Sequence, residues 1–533
     1  MVGAAVQPGR TDRAALLHPA ASAAAPQPSR RTLARPLPPA PCRAALAATA
    51  SVGMAVVCHS SRRGSRPTAF ARKGCSAGHG GSGVSTAMAA RRGEDSGGGQ
   101  PLWSLESPRV QLLAVLVLIF VANQACRALP YYLVDFGTTA APEYAMNAAL
   151  AFSSAEYGFY ATLGFTVPFT LASLVAGPLA DRSDRVRIVG IAGLLWSVFT
   201  ASMAGASTYG ALLAERGLLA VSQAVTNPAA LSLIADLFPE ARATANAIFG
   251  LGIYVGGGIA SLGAAADQGV GWRSTCLAFG AASLAISSLA LAAPADPRGE
   301  SGEAAADADA AAPRGRANSP GGLGELASDT LEAVAPPPAR WLLLASWLRF
   351  CAGFAILVWL PPVVRARYPG DVESFAFYNS LIKAFAGGAS SLSGGLAADA
   401  LRARGLGERA GAVFAAVSSL LAAPLWFMTL SPDLSFEGCM GLLLVEYLVA
   451  EGWLGPAVAA LQAAVPPKRR GAAQGVFSAL TALGNLLPAS LGLLAANDLA
   501  FGCQASVAVC YVASAACFVM AAANLPEGGG SEQ

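Results

Sequence analysis

The sequence predicts an all-α membrane protein with twelve transmembrane helices in two six-helix, pseudo-symmetric bundles. Three observations carry this expectation. Of 533 residues, 54% are apolar and 13% charged, about half the ~25% charged fraction of soluble globular chains. Apolar stretches of roughly twenty residues recur from Val110 onward, the length a helix needs to cross about 30 Å of hydrocarbon. Sequence features of the first half also return in the second.

The elements follow in chain order. Residues 1–92 are rich in Ala, Ser, Pro and Arg, with Asp12 as their one acid. A basic, acid-poor, hydroxyl-bearing composition is shared by organelle transit peptides. Residues 1–108 are therefore expected to be a disordered N-terminal region serving as a transit peptide, with the plastid envelope as destination. The plasma and endolysosomal membranes are the alternatives. Twelve apolar stretches follow, at 109–133, 156–180, 187–206, 210–234, 243–266, 273–293, 341–364, 375–399, 410–430, 437–463, 471–495 and 501–524. Only helices or closed barrels satisfy their backbone in lipid, and these stretches lack the period-two alternation of barrel strands. Bundles are expected over 109–294 and 340–525, with a disordered acidic linker over 295–339 and a tail over 526–533.

Orientation follows from basic residues in the loops. "DRSDRVR", "LRARGLGERA" and "PPKRR" fall on one side, with the N-terminal region and the linker. The opposite loops carry Asp135, Glu143, Glu156, Asp433 and Glu437. Both termini are expected on the cytosolic or stromal side. The internal repeat aligns "NPAALSLIADLFPEARATANAIF" (227–249) with "GPAVAALQAAVPPKRRGAAQGVF" (455–477), a symmetry expected of transporters whose halves rock about a central site.

Composition also excludes chemistries. The three histidines, His18, His59 and His79, all precede the apolar body, so it has no imidazole for metal binding, proton relay or a Ser-His-Asp triad. None of the ten cysteines forms a CxxC pair. Cys503, Cys510 and Cys517 read as small residues packing helices together. No enzyme activity, cofactor, metal or nucleic-acid partner is expected, and the protein is expected to be a monomer.

"GPLADRSDRVR" (177–187) ends the second apolar stretch. Its pattern, Gly177 followed by Asp181 and then Arg182, Arg185 and Arg187, resembles the loop 2–3 signature of the major facilitator superfamily. The resemblance implies the major facilitator fold and a gating role for Gly177, Asp181, Arg182 and Arg185. Asp236 and Arg242, which flank the turn after the fourth stretch, complete the expected gate. Asp184 stands where the family pattern has a second Gly. The run "RGLLAVSQAVTNPAALSLIADLFPEARATANAIFGLGIYVGGG" (216–258), with Asn123 and Arg127 in "NQACRALPYY", is similar to the spinster branch of that superfamily.

Two departures matter. The branch has an Asp where this chain has Cys126, and a Glu where it has Gln223. Those carboxylates are the branch's expected proton carriers, whereas an amide does not titrate.

Other charges are embedded in apolar stretches: Arg127, Arg216, Arg349, Lys383, Glu446 and Glu451. One charge at mid-bilayer costs about 2.5–3.5 kcal/mol on the mildest scale, so such groups are expected to be paired or to face a watery cavity. The resemblance implies a cavity lined by the first, fourth, seventh and tenth helices. The expected substrate cavity comprises Asn123, Arg127, Arg216, Gln223, Arg349, Lys383, Glu446 and Glu451. Fixed pairs of Arg349 or Lys383 with Glu446 are the alternative. The expected function is transport of a small amphipathic or organic anion by alternating access, with lysolipids and sphingoid lipids implied by the branch. Loss of the carboxylates leaves a non-coupled lipid scramblase or a transporter-like sensor as the alternative.

Overall fold

The computed structural model describes residues 103–104, 106–137, 141–181, 183–239, 241–293, 296, 331–332, 334–466, 469–495 and 498–526, with backbone only at 177, 178, 181 and 243. Residues 1–102 of the expected transit peptide, residues 297–330 of the linker and Arg182 lie outside the described residues. Among the described residues every regular element is helical.

The first bundle begins with α1, Pro108–Tyr132, whose last turn is 3-10. Pro108 occupies the first helical turn, where a missing N–H costs no hydrogen bond. Helix α2 runs as Ser154–Ala161 and Leu163–Asp181. Ser153 and Glu156 cap its start reciprocally, satisfying two otherwise orphaned backbone donors. Helix α3 is Arg185–Gly205 and α4 is Tyr209–Leu237. Asp184 caps α3, accepting 3.0 Å bonds from the backbone N–H groups of Val186 and Arg187. The departure from the family's Gly at this position is thus a helix N-cap.

Helix α5 starts as Arg242–Ser261 and continues through residues 263–270. The chain then breaks at Gly271 (φ 82°, ψ 156°), a conformation that side-chain-bearing residues rarely adopt. Residues 272–292 form α6. In the second bundle, α7 is Pro337–Arg367. Val372–Thr429 is one apolar stretch of 58 residues, far longer than a bilayer crossing. It bends at Gly405 and Gly407, both with positive φ, separating α8, residues 372–401, from α9, Ala410–Thr429. Helices α10, Phe436–Ala464, α11, Arg470–Leu494, and α12, Leu499–Asn524, complete the chain. The twelve expected helices are accommodated by these breaks.

Packing repeats between the halves. Helix α1 packs against α5 and α3 against α6; in the second half α7 packs against α11 and α9 against α12. A Cβ on Gly256 would stand 2.5 Å from the Val121 carbonyl, and one on Gly252 2.7 Å from the Phe120 ring. A Cβ on Gly484 would likewise stand 2.8 Å from Phe350 Cβ. Small residues let these backbones approach where lipid supplies no hydrophobic drive between helices.

The loops expected on the acidic side gather at one end. There Trp272 Nε1 donates to the Pro142 carbonyl at 3.2 Å and Arg367 Nη1 to the Leu430 carbonyl at 2.8 Å. The contacts joining the two bundles run from this end towards the middle. They involve α2 with α11, α5 with α8, and the last turn of α1 with α7. Ser154 Oγ donates across to the Gly492 carbonyl at 3.0 Å, and Tyr157 Oη to the Val358 carbonyl at 2.8 Å.

Candidate functional site

Between α5, α7, α8 and α10 lies a cavity of about 300 Å³, whose lining includes Tyr254, Arg349, Phe354, Lys383, Glu451 and Trp453. Arg349 projects from α7. Its Nη2 donates to the Ala450 carbonyl at 2.6 Å, and its guanidinium sits 4.4 Å from the Tyr511 ring centre and 5.2 Å from that of Trp453. Its Nε and Nη1 are buried with no hydrogen-bond partner. Lys383 lies on a π-helical turn, Ile382–Gly387, inside α8, and donates to Tyr132 Oη at 2.6 Å. Glu451 stands at the end of a helical segment of α10, 3.4 Å from Tyr254 Oη. Glu446 is 1% exposed; one carboxylate oxygen accepts from Tyr511 Oη at 2.6 Å and the other has no partner.

The fixed pairs considered from the sequence are not formed: among the described residues, neither Arg349 nor Lys383 makes an ion pair with Glu446. Helix 10 instead offers its acid to a phenol on α12, because Tyr511 stands between the guanidinium and the carboxyl.

The remaining expected cavity residues form a second cluster within the first bundle. Arg216 is 0% exposed. Its Nη1 donates to the Arg127 carbonyl at 2.7 Å and its Nη2 to Tyr131 Oη at 3.0 Å, while Tyr131, Tyr160 and Phe165 face the guanidinium within 5.4 Å. Arg127 lies over Phe165 at 4.3 Å. Such aromatic faces stabilise a desolvated cation by about 2 kcal/mol. Gln223 Nε2 donates to the Asn123 carbonyl at 3.0 Å. The structure therefore brings Arg349, Lys383 and Glu451 to one cavity, and places Arg216 in an aromatic clamp built by α1 and α2.

At the basic end, Arg185 is buried and is knotted to three residues. It donates to both Asp296 oxygens at 2.6 Å, to Asp236 at 2.6 Å and to Ser232 at 3.1 Å. Two of the expected gate residues, Arg185 and Asp236, are thus in contact, whereas Arg242 is exposed at the start of α5. Gly177 and Asp181 are described by their backbone alone, at the end of α2. Asp296, expected within the disordered linker, is folded against Arg185. Nothing but its acidity marked it in the sequence.

A third cluster escaped the sequence reading. Arg365, near the end of α7, donates to Asp267 at 2.6 and 3.2 Å and to the Tyr132 and Tyr144 carbonyls at 2.9 and 3.0 Å. Asp135 lies 3.6 Å away. This buried ion pair crosses from the second bundle to the first. A signal was present: "RAR" (365–367) sits at the acidic end, against the charge bias of the loops, and Asp267 interrupts an apolar run.

The model for the Major Facilitator Superfamily matches residues 125–486, more than half of the chain. The chain belongs to the Major Facilitator Superfamily. This member's fold is similar to that of a bacterial homolog of the human lysosomal transporter Spinster, in an inward-facing, unoccupied conformation. The TM-score is 0.59 at 20% identity, covering 79% of this chain and 97% of that one. A nucleoside transporter is similar at a TM-score of 0.58 and 15% identity, over 78% and 99% of the two chains. A galacturonate transporter of Dickeya chrysanthemi is 29% identical over 137 residues. That match spans 25% of this chain and 39% of the relative. The shared feature is the superfamily fold, a multi-pass membrane fold in a family of transporters.

Proposed function

We propose that this transporter carries a small organic or amphipathic anion by alternating access, with the cavity between α5, α7, α8 and α10 as its binding site. The observation that carries the reading is Arg349: two of its N–H-bearing nitrogens lack a partner while the side chain lines the cavity. A guanidinium with free donors matches a carboxylate or phosphate in two-point fashion. Lys383 adds a second cation against one lining carboxylate, Glu451. Aromatic side chains supply the wall that an amphipathic body needs. Galacturonate, the substrate named for one relative, is an organic anion; lysolipids follow from the spinster-like motifs.

Arg216 acts in this reading by fixing the ends of α1 and α2 beside the closure. The bundle contacts at the acidic end support a state reached from the basic end, with the basic side cytosolic or stromal. The basic, acid-poor N-terminus supports a transit peptide and a plastid envelope location.

A second reading has its own support. Gln223 and Cys126 stand where the branch carries acids, and Gln223 is engaged with a backbone carbonyl. A non-coupled lipid scramblase or a sensor would need no proton carrier there.

Uptake into proteoliposomes of galacturonate and of a lysophospholipid, with and without a pH gradient, separates the two. Anion uptake that Arg349→Ala abolishes, with the protein still folded, is the expected result. Anion uptake that survives Arg349→Ala overturns the reading, and pH-insensitive lipid flip alone supports the scramblase.

A further inference from the structure

One side chain of the cavity also belongs to the closure between the bundles. Lys383 lines the cavity, is 5% exposed, and makes its one hydrogen bond among the described residues to Tyr132 Oη. Tyr132 is on the last turn of α1, in the other bundle. Its hydroxyl also accepts from Asn379 Nδ2 at 3.0 Å, and Asn379 Nδ2 reaches Ser261 Oγ at 2.9 Å. Ser261 in turn donates to the Ala376 carbonyl at 3.0 Å. Tyr132 and Ser261 from the first bundle, with Ala376, Asn379 and Lys383 from the second, thus form one buried chain. Its cavity end is an ammonium group.

The backbone beneath Lys383 is unusual as well. The π-helical turn 382–387 inserts an extra residue into α8. Such turns break the regular ladder and gather at functional sites. Gly387, on the same turn, lies against Tyr254 of α5, where a Cβ would stand 2.5 Å from the ring. The turn therefore touches both the closure and the cavity wall.

An ammonium offers three donors, and here a neutral phenol takes one of them. A charge at this depth is costly without an opposite charge, so a bound anion is a stronger partner for it than Tyr132. We propose that Lys383 is the residue coupling occupancy to gate release: with the cavity empty it clamps the acidic-end closure through Tyr132. An arriving anion draws the ammonium away and loosens that closure. The inference rests on the anion reading of the cavity, and it adds that binding and closure compete for one side chain.

Two measurements on the full chain test this. The first needs no ligand. A single Cys replaces buried Ala376 in a background without the native cysteines, and its labelling by a thiol reagent reports opening of the closure. Lys383→Met and Tyr132→Phe should each raise labelling about tenfold, and the double variant should go no further than either alone. The second is binding of galacturonate, sulfate and a lysophosphatidate, the tightest being carried forward. Tyr132→Phe should tighten that anion about tenfold by removing the competitor, and Lys383→Met should weaken it at least as much.

Additive labelling, or an affinity unmoved by Tyr132→Phe, overturns the coupling and leaves the anion site standing. An affinity unmoved by Lys383→Met but restored to dependence on Lys383 by Glu451→Gln overturns it too, since the ammonium would then be the carboxylate's fixed counter-ion. If Arg349→Ala leaves the affinity unchanged, or none of the three anions binds, the anion reading falls and this inference with it.

Discussion

Replacing Arg365 with Ala should open the acidic end of the molecule. In the closed arrangement its guanidinium gives Asp267 bonds of 2.6 and 3.2 Å and two backbone carbonyls bonds of 2.9 and 3.0 Å. Asp267 is fully buried, so truncation leaves its carboxylate without a counter-charge. Breaking a buried pair from one side costs about 3–5 kcal/mol. When the bundles part, water reaches Asp267 and most of that penalty disappears, so the cost falls on the closed state. At a factor of ten per about 1.4 kcal/mol, the closed-to-open ratio should drop about a hundredfold or more. Thiol labelling of a Cys at Ala376, which is buried at the contact between α5 and α8, measures that ratio. Adding Asp267→Asn should recover part of the closure, because the stranded charge is then gone. Unchanged labelling in Arg365→Ala, at a normal yield of folded protein, would refute the reasoning that this inter-bundle pair holds the closure.

Arg185→Ala should destabilise the first bundle by about 3 kcal/mol, seen as a lower unfolding temperature in detergent, because buried Asp296 loses its two guanidinium bonds and with them that counter-charge. Arg185→Lys should rescue only part of this, since an ammonium cannot span the same fork of acceptors. Gly394→Val should abolish folded protein on size-exclusion chromatography, since its Cβ would overlap the Gly452 carbonyl, whereas Gly395→Ala, with open space beside it, should be tolerated. Gln223→Glu should make uptake proton-dependent: only the protonated acid can donate to the Asn123 carbonyl as Gln223 does. Uptake should therefore persist at low pH and fail as the group ionises, and an unchanged pH profile would remove the argument that a carrier was lost here.

The membrane fold was legible because hydrocarbon imposes rules that run along the chain. Twenty apolar residues cross it, basic residues mark one side, and Gly271 and Gly405 supply breaks that length alone requires. The motif at 177–187 was legible for the same reason, being contiguous. Its Asp184 shows where such reading stops: the departure from the family's Gly was visible, but its role as the cap of α3 appeared only with the backbone.

Charges embedded in apolar helices were equally visible, yet their partners were not. Arg349 and Glu446 were candidates for a pair, and a tyrosine on α12 stands between them. Arg216 has a cavity residue's sequence signature and an aromatic clamp's surroundings. Arg365 meets Asp267 across 98 residues, and Arg185 meets Asp296 across 111.

The sequence by itself determined the solvent and the helical class, because burial in lipid constrains each segment independently, and a contiguous motif marked the superfamily. Only the tertiary structure decided which buried cation faces the cavity, which is clamped and which locks the bundles. A charge in a low-dielectric medium takes whatever partner the packing of distant helices brings within about 3 Å, and that distance is written in no single segment.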